Sequence, residues 1–336
     1  MEERISANNQ EHSEQTFHKQ SQIKDLVAGD VISDIFVVKA KSSVQSYAND
    51  TKYRFTLTLT DKSGEINAKY WGSEDMQAVQ GLQESLKSGD VVHITARVQE
   101  YLDNTELSIN DSGITRLEEG QYNAQFFIQE SDKDLEQLYA DILETIHNIS
   151  NQDLKLLCSA FYLDSDFRNS FCQVPASKMH QYAFLGGLVE HTHNILQMAK
   201  ALCVIHSELD QDLLLSIVLL APIGKTQHFK IGTNIDFTQE GYLLGDMILS
   251  YDLLQDQMTQ FPDFDKELHI KLLNAIVSQQ GKVSWGAVKR PATAEALVYA
   301  RLKELDSSLA QFLSVKKHID SDEAIVFTKG FGNILR

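Results

Sequence analysis

KYRFTLTLTDKSGEINAKYW, residues 52–71, holds two runs of alternating side chains around Asp61-Lys62-Ser63-Gly64. Successive strand residues point to opposite faces. Tyr53, Phe55, Leu57 and Leu59 therefore share one face, and Lys52, Arg54, Thr56 and Thr58 the other. In the second run Ile66, Ala68 and Tyr70 lie together, leaving Asn67, Lys69 and Trp71 opposite. The four residues between have turn chemistry, so the stretch is expected to form a β-hairpin.

Working outward, VISDIFVVKA (31–40), VVHITARVQ (91–99) and TELSIN (105–110) are three more strand candidates. A helical stretch, SEDMQAVQGLQESL (73–86), stands between the third and fourth strands. Five strands with a helix at that place are the order of an OB-fold barrel. In 91–99, Val92, Ile94, Ala96 and Val98 turn inward and His93, Thr95 and Arg97 outward. The outer face thus offers Lys52, Arg54, Lys69 and Arg97 as cations and Trp71 as a base-sized aromatic. Cations for phosphates and an aromatic for stacking suit a single-stranded nucleic acid. Solvated strand residues, or a barrel that binds protein instead, are the alternatives.

Beyond about residue 130 the apolar period becomes helical. DKDLEQLYADILETIHNI, NQDLKLLCSAFYL, GGLVEHTHNILQMAKALCVI, DQDLLLSIVLL, EGYLLGDMILSYDLL, DKELHIKLLNAIVSQQ and TAEALVYARLKELDSSLAQFL predict about seven helices. Several open on a capping Asp, Asn or Thr. The expectation is a multidomain α+β chain: a polar, disordered tail over 1–21, an OB-fold barrel over 22–115, a linker over 116–130 and an all-α domain over 131–336.

With 43% hydrophobic residues and 23% charged, 336 residues suffice for two cores. No apolar run reaches the roughly 20 residues that span a bilayer, and the first residues lack a signal-peptide core, so a cytoplasmic location away from membranes is expected. Cys158, Cys172 and Cys203 lack the spacing of a disulfide framework or zinc knuckle. A net charge of −17 argues against indiscriminate nucleic-acid binding. Residues 21–100, however, carry nine Lys/Arg against eleven Asp/Glu, so the acidity lies in the C-terminal two-thirds.

In GGLVEHTHNILQMA (186–199), Leu188, His191, Ile195, Met198 and Leu202 make one helical stripe. His191 faces inward, while His193 falls with Gln197 and Lys200 on the outer side, so the two cannot chelate one ion. A hydrogen-bonded core histidine is the plain alternative to a functional one.

These segments, with LLAPIGKT, SQQGKVSWGAVKRPATAEAL and the closing FTKGFGNILR, resemble in their order the YhaM-type 3′–5′ exoribonucleases over nearly all of residues 22–336. The resemblance implies an N-terminal OB-fold joined to an HD-superfamily helical domain that binds Mn²⁺ or Mg²⁺ through His and Asp, ions suited to activating water. Carried over position by position, His191 and Lys225 match the pattern. Ala221-Pro222 stands where the defining His-Asp pair is expected, and Asp246 stands for a His. Asn274, Gln279 and Gln280 stand for three more His residues, and Lys303 for an Asp. A His pair aligns with Gln181-Tyr182, one residue after His180. His191 and Asp246 are thus the possible remnants of a metal site.

The expectation is therefore a pseudoenzyme: an OB-fold holding single-stranded RNA or DNA, RNA first, fused to a degenerate HD domain with no cofactor. The helical domain is expected to serve as a surface for nucleic acid, a protein partner or homo-oligomerisation. One alternative is a Mn²⁺- or Mg²⁺-dependent exoribonuclease with a site rebuilt from His180, His191, His228 and Asp246. The other is a protein-interaction scaffold.

Overall fold

The computed structural model describes residues 16–46, 51–102, 104–179, 181–317, 319 and 323–335. The chain divides into two compact units, residues 1–128 and 129–336. In the first, the strands are β1 (Val31–Lys41), β2 (Gln45–Ser46), β3 (Tyr53–Asp61), β4 (Gly64–Trp71), β5 (Val91–Tyr101) and β6 (Asn104–Leu117). Helix α1 (Met76–Ser85) lies between β4 and β5, its N-terminus capped by the Asp75 carboxylate. The strand order is β1-β5-β6-β4-β3-β2, and a further β1–β3 pairing closes the sheet into a barrel. Only the β4–β6 pairing is parallel among the described strands. This is an OB-like closed barrel of five long strands, with β2 a two-residue addition beside β3.

The hairpin forms as its alternation requires: Arg54 pairs with Trp71, Thr56 with Lys69 and Leu57 with Ala68. Phe55, Leu57, Leu59, Ile66, Ala68 and Tyr70 are buried together with Val92, Ile94, Ala96, Val98 and Leu107. The last strand runs further than the apolar alternation suggests. Ser112 has a positive φ of 65°, and a Cβ on Gly113 would sit 2.9 Å from the Thr95 carbonyl oxygen, where β5 shifts register. Phe127 then packs on Ile35, Val37, Val91 and Leu117, so this unit extends to Ile128 instead of stopping near 115.

Residues 1–15 of the expected tail lie outside the described residues. Residues 16–21 differ from that expectation because they carry polar groups that the barrel needs. The Lys19 ammonium is buried between Asp34 (3.5 Å) and Asp61 (3.3 Å) and lies 3.3 Å from the Phe36 ring centre. Asp34 also accepts from the Gln20 and Ser21 backbone N–H groups at 3.0 and 2.8 Å. Burying two carboxylates demands such partners.

In the second unit the helices are α2 (Leu135–His147), α3 (Gln152–Tyr162), α4 (Ser165–Gln173), α5 (Gly187–Ile205), α6 (Gln211–Leu220), α7 (Lys225–His228), α8 (Gln239–Met258), α9 (Lys266–Ser278) and α10 (Ala294–Lys317). Two small hairpins accompany them, β7 (Phe229–Ile231) with β8 (Ile235–Phe237) and β9 (Ile325–Thr328) with β10 (Gly332–Leu335). The capping residues act as expected: side chains of Asp134, Asn151, Asp210, Thr238 and Asp265 each accept a first-turn N–H. Helix α6 is buried from Leu213 to Leu220 and forms the centre of the core with Ile142, Leu157, Leu188, Ile276 and Tyr299. Helix α8 breaks at Gly245 (φ 78°, ψ 160°), immediately before Asp246.

Candidate functional site

Two surfaces collect the residues singled out above, one in each unit. On the barrel, the outward side chains of β3, β4, β6 and β5 form a continuous row, because Arg54 opposes Trp71, Lys69 opposes Ser108 and Ser108 opposes Arg97. The Trp71 indole donates from Nε1 to Ser108 Oγ at 2.9 Å, and the Arg54 guanidinium lies 5.6 Å from its ring centre. That hydrogen bond and cation–π contact hold the indole at the surface instead of in the core. Lys52 and Arg97 are exposed. Lys69 is not an open cation: it pairs with the buried Glu106 at 2.8 Å and stands 4.0 Å from the Tyr101 ring centre. Tyr101, 55% exposed, is an aromatic on this face that the sequence pattern did not single out. His93 is covered, with the Phe17 ring 4.9 Å from its own.

In the helical unit, His191, Lys225, His228, Asp246, Gln279 and Lys303 all line one cleft of about 420 Å³. His180 lies outside the described residues. Each wall of the cleft comes from a different helix: α5 supplies His191, α7 Lys225 and His228, α8 Asp246, and α10 Lys303, while Gln279 caps α9. Close backbone packing sets their positions. A Cβ on Gly224 would lie 2.3 Å from the Ser250 backbone nitrogen, and one on Gly241 2.2 Å from the His228 carbonyl oxygen. The glycines therefore let α7 sit directly on α8.

The side chains divide into pairs. Lys225 meets Asp246 at 3.0 Å. Burial would raise the Asp246 pKa, but Lys225 and Lys303 beside it hold the carboxylate well below its usual range. His191 Nδ1 lies 2.6 Å from Asp306 Oδ2. A carboxylate only accepts, so Nδ1 carries the proton and Nε2 keeps its lone pair. Burial lowers the His191 pKa against the pull of Asp306, leaving the ring neutral near pH 7. Lys303 Nζ donates to Gln279 Oε1 at 2.7 Å. Burial pushes the Lys303 pKa down to about 8, with Asp246 opposing and Lys225 adding to the fall.

Three other residues carried over from the resemblance do not face the cleft. Asn274 Oδ1 accepts from the Ala292 N–H at 2.9 Å. Ala221 and Pro222 are buried in the turn after α6, where Ser250 Oγ donates to the Ala221 carbonyl (2.7 Å) and accepts from Gly224 N–H (2.8 Å). Gln181 and Tyr182 do line the cleft, and the Tyr182 ring rests 5.1 Å from that of His191. Asp306 escaped notice in the sequence, although it follows Lys303 by one helical turn on the same face of α10.

A divalent ion of the Mn²⁺ or Mg²⁺ type requires several oxygen or imidazole donors around one point. Among the described residues, no three His, Cys, Asp or Glu side chains are placed to hold one ion. Asp246 is instead neutralised by ammonium groups, and the residues present do not fit such a site.

Comparison with known proteins bears on both surfaces. Residues 37–117 match the family described as "OB-fold nucleic acid binding domain". The 3′-5′ exoribonuclease YhaM of Listeria monocytogenes serotype 4b is 27% identical over 308 residues, covering 90% of this chain and 94% of that protein. This chain is related to the YhaM exoribonucleases. The YhaM of Bacillus subtilis strain 168 is also 27% identical, over 271 residues, 80% of this chain and 83% of that protein. Among solved structures, the second OB-fold domain of replication protein A from Methanococcus maripaludis covers 30% of this chain and 96% of its own, at 18% identity and a TM-score of 0.24. A likeness of that size carries no argument. No helix among the described residues is long and apolar enough to cross a membrane.

Proposed function

We propose that this chain is a non-hydrolytic relative of the YhaM exoribonucleases, a cytoplasmic protein that holds single-stranded nucleic acid, RNA in preference to DNA. The barrel binds the strand through Arg54, Arg97 and Lys52 and stacks bases on Trp71 and Tyr101. The helical unit is a degenerate HD-superfamily domain that has kept its cleft and lost its metal chemistry.

One observation carries the reading: the Asp246 carboxylate is paired with the Lys225 ammonium and has Lys303 as a second cation beside it. An ammonium and a divalent ion about 4 Å apart repel by roughly 8 kcal/mol at an effective dielectric constant of about 20. A cleft that already supplies its own cations is therefore poorly suited to a catalytic metal. Kinship with proteins named 3′-5′ exoribonuclease over nine-tenths of the chain favours a second reading, hydrolysis by a rebuilt site.

One assay separates the two. The full chain is incubated with 5′-labelled single-stranded RNA and Mn²⁺, beside a His191→Ala variant. The expected result is retention of the full-length label with both proteins. Stepwise shortening from the 3′ end, lost in the variant, would establish the second reading.

A further inference from the structure

The cleft of the helical unit is lined by more hydrogen-bond donors than its own acceptors satisfy. Lys178 is matched by Asp236 at 2.6 Å, Lys225 by Asp246 at 3.0 Å, and Glu304 by Arg301 at 2.8 Å. Lys303 differs. Its hydrogen bond goes to the neutral amide oxygen of Gln279, and among the described residues no carboxylate lies within ion-pairing distance of it. Gln279 is 1% exposed, and the same bond turns its oxygen to Lys303 and leaves its Nε2 donors without an acceptor. A buried donor left unsatisfied costs about 1–3 kcal/mol, so such a cluster is stabilised by a group rich in acceptor oxygens.

From this arrangement we propose that the cleft is a metal-independent receptor for a phosphate monoester, with Lys303 and Gln279 as its principal donors. A phosphate monoester carries three acceptor oxygens and up to two negative charges, matching an ammonium, an amide N–H and the shared Lys225 ammonium in one recess. A volume of about 420 Å³ accommodates a mononucleotide, and the lining includes Trp285, 47% exposed, with the Lys282 ammonium 3.9 Å from its ring centre. Free nucleotides and phosphorylated strand ends share this chemistry. The inference rests on the non-hydrolytic reading, since the ammonium serves where a metal-dependent enzyme would keep its ion.

The test is calorimetric titration of the full chain in EDTA with inorganic phosphate, adenosine 5′-monophosphate, adenosine, and a pentaribonucleotide with or without a 3′-phosphate. One saturable site per chain is expected for the phosphate-bearing ligands, with none for adenosine. Tighter binding of the mononucleotide would identify a free nucleotide as the ligand. A gain from the 3′-phosphate on the pentamer would identify a strand end. Lys303→Met is expected to weaken binding at least tenfold, and Lys303→Arg to retain it within a few-fold. Gln279→Glu keeps an acceptor for Lys303 while adding a charge that repels phosphate, so it should abolish binding even where the Met variant folds poorly. Binding that needs added Mn²⁺, that is indifferent to both Lys303→Met and Gln279→Glu, or that is absent for every phosphate ligand would overturn the proposal. Loss of binding in EDTA would remove this site and leave barrel binding intact. Mn²⁺-dependent shortening of RNA would instead remove the non-hydrolytic reading, whatever the mononucleotide does.

Discussion

Lys303 combines a recessed position with a neutral hydrogen-bond partner, and its proton is held loosely as a result. The groups facing it are Asp246 from α8, which favours its charge, Lys225 from α7, which opposes it, His191 from α5, neutral near pH 7, and neutral Gln279 after α9. With a pKa of about 8, the side chain is cationic below that pH and neutral above it. Phosphate binding in the cleft is therefore expected to weaken as pH rises from 7 to 9, and Lys303→Arg should flatten that profile, since guanidinium stays charged. Titrations at pH 7, 8 and 9 check this. His191 depends on a partner 115 residues away. Removing its ring by His191→Ala leaves Asp306, 7% exposed, short of one donor. A loss of about 1–3 kcal/mol in denaturant midpoint analysis is expected. The inward direction of His191 was legible from its helical stripe. Its pairing with Asp306 was not, because nothing in a linear pattern says which helix will face which.

At the scale of elements, period-two alternation read β3, β4 and β5 almost to the residue, since each has one buried and one wet face. It could not reveal that Lys69 lies diagonally across from a buried carboxylate of β6, a parallel neighbour 37 residues later. That pairing changes the expected behaviour of a substitution. Lys69→Ala should lower the stability of the barrel, because Glu106 is left as an uncompensated buried charge. It should scarcely alter RNA affinity, whereas Arg54→Ala should do the reverse. Parallel unfolding and RNA-binding measurements on the two variants distinguish these outcomes. The strap at 16–21 eluded compositional reading for a related reason: polar, charged segments are normally solvated, but Lys19 is held by two carboxylates within the barrel. In the helical unit, Gly224→Ala would force its methyl onto the α8 backbone, so a marked loss of stability is expected without any change in cleft charge.

For the whole molecule, the main hydrophobic core of each unit is separate from that of the other, which divides the consequences of these changes. The negative charge is concentrated outside the barrel strands, so a nucleic acid approaching at random meets net repulsion and only a local cationic face attracts it. Binding must then be shallow in salt dependence. For single strands, log affinity falls with log salt by about 0.7 per phosphate neutralised, so contacts from Arg54, Arg97 and Lys52 give a slope near −2.1. Arg54→Ala is expected to bring that slope to about −1.4. Trp71→Ala is expected to weaken binding by roughly 1–3 kcal/mol at every salt concentration, because stacking displaces no counterions. Lys69→Ala should leave the slope unchanged, its charge being spent on Glu106. Anisotropy titrations of a short labelled RNA between 50 and ~300 mM salt would separate the three. A slope indifferent to Arg54 would mean the barrel's outer face is not where the strand lies, and would turn the assignment toward a protein-binding barrel.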